Sequence, residues 1–359
     1  MRGMMGTTFP DVLVVGLGPA GASAAASAAR AGARVHAIDR KHEAGKPVQC
    51  AEFVPAMMGQ QTRALNEATR QPISEMTTFV AQDKYSEPNF IGHMIDRAAF
   101  DAALVAEAEA NGAVCAFGIS LRTISADGSV TLSDGTTHNP RVIIAADGPR
   151  SPTGRAVGRV NREIAETRQI TVPLLETLQS TDIFLAPDYP GGYAWLFPKG
   201  AVANLGLGVD EQCRHQLKQL LADLHARLVA EGRVGADILR HTGGAIPVGG
   251  CLDPVVEHGN VTVLLAGDAA GLTNPITGAG INSAVQSGTL AGRAAAKVAA
   301  GNHLAATEYR DDLEDLFGAS LERAVERRRT LLQKSATGIE PTITDLKRAW
   351  IAFPEYWAA

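Results

Sequence analysis

Val14-Val15-Gly16-Leu17-Gly18-Pro19-Ala20-Gly21 closes a β-branched run that starts at Val12 and opens into the small-residue stretch Ala22–Ala31. The pattern is a short buried strand, a glycine turn and a helix slim enough to lie against a sheet. Gly16 permits the tight turn, Gly18 lets backbone approach a pyrophosphate, and Gly21 lets helix and strand touch, with Ala20 between them. Arg34–Ile38 reads as the next strand and ends in Asp39, which completes a βαβ unit of about 30 residues. Asp39 is placed to accept hydrogen bonds from an adenosine ribose, and its neighbour Arg40 is a further candidate contact.

A second glycine-rich turn lies in the far half: Leu264-Leu265-Ala266-Gly267-Asp268-Ala269-Ala270-Gly271, followed by Asn274-Pro275-Ile276-Thr277-Gly278-Ala279-Gly280-Ile281. Gly267 and Ala269 keep this turn narrow, and Asp268 can accept from ribityl hydroxyls. The Gly278–Ile281 stretch opens another helix whose first amides could face the ring edge where negative charge collects on reduction. One glycine fingerprint is weak evidence; the pair predicts FAD. A third turn, Asp147-Gly148-Pro149-Arg150-Ser151, follows a strand and adds Asp147 as a candidate contact. No second GxGxxG unit is visible, so NAD(P)H or another reductant must dock transiently.

The 359-residue chain is 45% hydrophobic and 20% charged, with net charge −5, which is ordinary for a globular protein. That balance gives no reason to expect nucleic acid. Cys50, Cys115, Cys213 and Cys251 are scattered, with no CxxC spacing and no clustered histidine, so free thiols and no metal are expected. Residues 1–10 lack a signal-peptide core, and no run reaches the roughly 20 apolar residues of a membrane span. A cytoplasmic protein without a transmembrane segment is the expectation.

A strand is predicted over Thr77–Gln82, with the chain returning at His93–Arg97 and a helix capped by Asp96. Residues 119–146 read as a three-stranded meander whose last strand is Arg141–Ala146. Residues 166–250 carry short alternating strands of an antiparallel sheet, then a helix near Glu211–Glu231. From Ala305 to Lys334 one long amphipathic helix is expected, with Tyr309, Leu313, Phe317, Leu321, Ala324, Arg328 and Leu332 as its packing stripe. The fold class is α/β: a Rossmann-like FAD-binding domain (residues 1–75, 93–165 and 255–300) interrupted by a substrate domain with a mostly antiparallel β-sheet (76–92 and 166–254), plus C-terminal helices (301–359).

With its three turns in this order, the chain resembles the FAD-dependent oxidoreductases of the p-hydroxybenzoate hydroxylase fold. The resemblance implies that Arg97, in Ile95-Asp96-Arg97, lies beside the FAD. Within that superfamily Pro47-Val48-Gln49-Cys50-Ala51-Glu52 looks like the cysteine-bearing loop of geranylgeranyl reductases. Tyr193-Ala194-Trp195-Leu196-Phe197-Pro198-Lys199-Gly200 looks like their aromatic strand. Cys50, Tyr193 and Trp195 are therefore the catalytic candidates, the thiol as proton donor or pocket wall. Tyr193 and Trp195 share a strand face.

The reading favoured from sequence is a monooxygenase that hydroxylates an aromatic substrate with reduced flavin and O₂. That substrate could be a small molecule or a protein-bound tryptophan in quinone-cofactor maturation. The short C-terminal region, which could leave the pocket open to a large substrate, supports this reading. The alternative is reduction of prenyl-chain double bonds on a prenyl lipid. A third is a flavin-bearing assembly protein without turnover.

Overall fold

The computed structural model describes residues 10–56 and 63–358; residues 1–9, read above as carrying no targeting signal, lie outside the described residues. The chain opens with β1 (Val12–Val15), α1 (Pro19–Arg30), β2 (Val35–Asp39) and the short β3 (Phe53–Pro55). Next come α2 (Arg63–Ala68), the long hairpin β4 (Thr69–Val80) and β5 (Asp83–Ile95), α3 (Arg97–Ala110) and β6 (Val114–Phe117). β7 (Leu121–Ile124), β8 (Val130–Leu132) and β9 (Thr137–His138) precede β10 (Val142–Ala145) and α4 (Pro152–Ala156). A second strand-rich stretch holds β11 (Ile164–Pro173), β12 (Ser180–Leu185), β13 (Ala194–Lys199), β14 (Val202–Asp210), α5 (Leu217–Ala230) and β15 (Arg240–Pro247). The chain then runs through β16 (Val255–His258), β17 (Val261–Leu265), α6 (Ile281–Ala299), α7 (Leu304–Leu313), α8 (Ala319–Ala336), α9 (Ile343–Arg348) and α10 (Pro354–Trp357).

Two large sheets result. The first has the order β16-β17-β10-β1-β2-β6 and is parallel except for the β16–β17 edge. Every residue of β1, β10 and β17 is buried, because a parallel sheet covered on both faces must be apolar on both. The second sheet has the order β15-β11-β14-β13-β12-β4-β5-β3. It is antiparallel save for the parallel β12–β4 pair. The strand expected at residues 77–82 is the end of β4, which starts at Thr69.

Helix α1 has a face of Ala and Gly, and α6 answers it with Gly288 and Gly292. A Cβ at those glycines would run into the carbonyls of Ala20 and Ala24. The two helices thus lie backbone to backbone and point the same way. Counting from the contact of Ala20 with Gly288, the start of α6 reaches roughly 10 Å beyond that of α1, at 1.5 Å per residue.

Three expectations are corrected. Arg141–Ala146 does not complete the meander: β10 lies between β1 and β17 in the parallel sheet, where the fully apolar Val-Ile-Ile-Ala can be covered on both sides. The expected long C-terminal helix runs on through Leu304–Ala336 but takes a π-turn at Glu314–Gly318, whose extra residue absorbs the four-residue steps of the hydrophobic stripe. Within that stripe Arg328 is 2% exposed, its guanidinium donating to Asp210 (2.8 Å) and to the Gly191 carbonyl (3.1 Å). Finally, the C-terminal region does not leave the second sheet open. Leu346, Trp350, Phe353 and Tyr356 are buried in one apolar cluster with Met76, Trp195 and Phe197.

Candidate functional site

The site is assembled from loops at the ends of the parallel strands, closed on one side by the second sheet. Gly16 has φ +99°, and a Cβ there would meet Ala146 and Asp147 backbone. Gly18 is the opposite case: nothing lies within 4 Å of where its Cβ would be. Helix α1 begins at Pro19 without a side-chain cap, so its first amides are left for a ligand at the positive end of the helix. The Asp39 carboxylate fastens this loop to the end of β2, accepting from Leu17 N and Lys41 N at 2.8 Å each. Arg40 is exposed.

At the second turn, Gly267 has φ +58°. Asp268 accepts from the Thr273 hydroxyl at 2.6 Å. Burial raises its pKa against the opposing effects of that hydrogen bond and of the Arg97 charge. The loop from Asn274 to Gly280 is held from within, Asn274 Oδ1 accepting from Ile276 N and Thr277 N at 3.0 Å. Exposed Ala279 lies in it, and Gly278 has φ +67°. Helix α6 then starts at Ile281 with no side-chain cap. At the third turn the Asp147 carboxylate is turned towards α4, accepting from Thr153 N (2.9 Å), Thr153 Oγ1 (2.7 Å) and Ser151 Oγ.

These features fit FAD. The space over Gly18 suits a pyrophosphate, the uncapped start of α1 suits its charge, and Asp268 is a carboxylate acceptor farther along. The start of α6 lies farther out still, where the flavin ring would rest.

The Cys50 loop approaches the same region. Cys50 Sγ accepts from Glu52 N at 3.2 Å, and the Cys50 carbonyl accepts from Gln169 Nε2 at 3.2 Å. Gln169 is itself oriented by the Trp195 indole, whose Nε1 donates to its Oε1 at 3.0 Å. Arg97 binds Asp101 at 2.7 Å. Burial works against its charge, but Asp101 and the Cys50 sulfur more than offset this and raise its pKa. Arg97 is thus close to the Cys50 sulfur and close enough to Asp268 for its charge to oppose the effect of burial on that carboxyl.

Tyr193, just ahead of β13, ties the second sheet to the Asn274–Gly280 loop. Its hydroxyl donates to the Thr277 carbonyl at 2.5 Å, and burial pushes its pKa up. Its ring lies 5.7 Å from Trp195 and 4.8 Å from Trp350, centroid to centroid. The structure thus brings Cys50, Arg97, Asp268, Tyr193 and Trp195 into one neighbourhood from four separate segments.

Sequence reasoning missed several members. Glu52 is quoted in the cysteine loop but given no role, yet it is 1% exposed and accepts from Lys199, Asn204 and Arg240. Gln169, Asn204 and Trp350 were not singled out either. An acid two residues after the loop cysteine was the one available signal; the others are ordinary strand and helix residues until the fold gathers them.

Comparison with known proteins agrees with this geometry. The FAD binding domain family matches residues 11–190, and the geranylgeranyl reductase catalytic domain family matches residues 167–246. A digeranylgeranylglycerophospholipid reductase from Methanocaldococcus jannaschii is 31% identical over 308 residues, 80% of this chain and 77% of the relative. Digeranylgeranylglycerophospholipid reductase 2 of Methanopyrus kandleri is 33% identical over 88% of this chain and 85% of its own. Among solved structures, a geranylgeranyl bacteriochlorophyll reductase-like protein from Thermoplasma acidophilum superposes with a TM-score of 0.79, at 25% identity and 95% coverage of both chains. PqsL from P. aeruginosa, in complex with 2-aminobenzoylacetate, shares the fold at 18% identity, with a TM-score of 0.71 over 91% of this chain and 98% of that one.

The relatives correct the reading favoured from sequence. Hydroxylation of an aromatic substrate or protein-bound tryptophan with O₂ rested on turns common to the whole superfamily, and the similar curated proteins are reductases. Among the described residues no helix is long and apolar enough to cross a membrane. Fold, glycine turns and relatives agree that the chain belongs to the family of FAD-dependent oxidoreductases that includes the digeranylgeranylglycerophospholipid reductases.

Proposed function

We propose that this protein saturates carbon–carbon double bonds in the prenyl chains of a lipid. The observation that carries the reading is the aromatic enclosure beside the Cys50 loop. Tyr193, Trp195 and Phe197 form one wall, and the C-terminal segment presses Trp350 and Phe353 against it. An apolar cleft of about 410 Å³, lined by Met76, Phe90, Ile351, Phe353 and Trp357, adjoins the same cluster. An isoprenoid chain needs such a surface, because its only favourable interactions are burial and dispersion. The names of the relatives point to the same substrate class.

Gly16, Gly18, Ala20, Gly21, Asp39, Gly267, Asp268 and the Gly278–Ile281 turn would hold FAD, with Arg40 and Asp147 at the margin of that set. Bound FAD, once reduced by an outside donor, supplies a hydride to one alkene carbon. The other carbon needs a proton, and we assign its delivery to the Cys50 thiol. The S–H bond breaks as the new C–H bond forms, and solvent returns a proton to sulfur. Arg97 holds positive charge beside that sulfur while the proton is away. Tyr193 and Trp195 align the chain and keep water from the reacting carbons.

The test is anaerobic incubation of dithionite-reduced protein with vesicles containing a geranylgeranylated glycerophospholipid, followed by mass spectrometry. The expected product gains one hydrogen pair per reduced double bond. Unchanged lipid mass, with the flavin bound and reduced, would sink the proposal.

A further inference from the structure

We infer that Glu52 is a positioning residue that fixes the orientation of the Cys50 thiol, an inference that rests on the proposed role of Cys50. Glu52 has φ +67° and is 1% exposed. A residue with a side chain adopts that backbone region only where its surroundings enforce it. The enforcement is visible. Glu52 Oε1 accepts from Arg97 N at 3.1 Å, and Oε2 accepts from Lys199 Nζ (2.7 Å), Asn204 Nδ2 (2.9 Å) and Arg240 Nη2 (3.2 Å). Asn204 also donates to the Ala51 carbonyl at 3.1 Å, and Ile95 N donates to the Glu52 carbonyl at 2.8 Å.

The left-handed main chain so held aims the Glu52 N–H at Cys50 Sγ, 3.2 Å away. A carboxylate serving only as a partner for Lys199 and Arg240 could do so from an extended backbone, without turning its amide towards a sulfur. Burial opposes the ionised form of Glu52, but Lys199, Asn204 and the Arg97 amide reverse that and leave its pKa below the usual value. The charged groups around the pair are Lys199 and Arg240, which bind the carboxylate, and Arg97, itself paired with Asp101, beside the sulfur.

Alkylation of Cys50 by iodoacetamide, followed on its own peptide by mass spectrometry in the flavin-loaded protein, reads this orientation without turnover. The thiolate is the reacting form and donors to sulfur favour it, so in Glu52→Ala the rate at about pH 7.5 should fall roughly fivefold or more. Exposed Cys251 should react as before. In lipid reduction kcat should fall while KM stays near wild type, and Glu52→Gln, which can still accept from Arg97 N, should recover part of the loss.

Lys199→Met removes one tether without touching the loop and should slow alkylation to an intermediate rate. It decides the matter should Glu52→Ala lose its flavin. Wild-type alkylation in the flavin-retaining variants, or equal slowing of Cys251, overturns the inference. Absence of lipid reduction by the wild-type protein would defeat the proposed function alone, since the alkylation comparison still reports on Glu52.

Discussion

Gly18 is conspicuous for having no neighbour. Most glycines at a crowded turn resist any side chain, but a Cβ at Gly18 would point into open space. Gly18→Val should therefore leave the protein folded while filling the path of the pyrophosphate. The expected result is a colourless variant with a near-wild-type far-UV circular dichroism spectrum. A yellow purified variant would refute the assignment. Gly21 differs, since its Cβ would strike the Gly16 carbonyl, and loss of flavin there could not be separated from loss of the turn. Gly16, Gly18 and Gly21 were legible as a group because their spacing is fixed by the turn they make. Glu52 was not, because a positive φ at a glutamate is imposed by partners as distant as Arg240.

Helix α9 shows how a short element is held in place. Thr342 and Asp345 form a reciprocal capping box, Asp345 Oδ2 accepting from Thr342 N (3.0 Å) and Thr342 Oγ1 accepting from Asp345 N (3.3 Å). Lys334 of α8 adds a bond to Asp345 at 2.5 Å. The Lys334 hydrogen bond, followed by those of Thr342, brings the Asp345 pKa down to about 2. A depressed carboxylate stabilises the folded form above its ordinary value of 3.8, and that contribution is lost as pH falls through about 2. Thr342→Ala should weaken docking of the C-terminal segment by about 1 kcal/mol, the usual effect of losing such a cap. An acid titration followed by tryptophan fluorescence should show the variant releasing Trp350 at higher pH than wild type; coincident curves would reject the role. At this scale the sequence was partly readable: β1, β2 and the start of α1 follow from residue type alone. The π-turn in the C-terminal helices and the membership of β10 in the parallel sheet depend on partners that no local pattern names.

Across the whole molecule, the C-terminal segment is what covers the aromatic face of the second sheet. Deleting residues 341–359 should leave FAD binding intact, because the glycine turns lie in other elements, while exposing Trp195, Phe197 and Met76. The shortened protein should bind a hydrophobic dye and lose lipid reduction by an order of magnitude or more, about 1.4 kcal/mol per tenfold. Wild-type turnover after the deletion would show that the segment does not complete the site. From sequence, the short C-terminal region was expected to leave the pocket open to a large substrate. That reading missed how Trp350 and Phe353, between the last two short helices, and Tyr356, in the second of them, pack into the apolar cluster.

One carboxylate, Glu52, is grasped from the nucleotide half through Arg97 and from the other half through Lys199, Asn204 and Arg240. Neither half can be exchanged freely for the corresponding piece of a distant cousin. A hybrid that inherited the acid without the side chains of Lys199, Asn204 and Arg240 would keep only the Arg97 backbone amide on a buried anion, so these four positions are expected to travel through descent as a set.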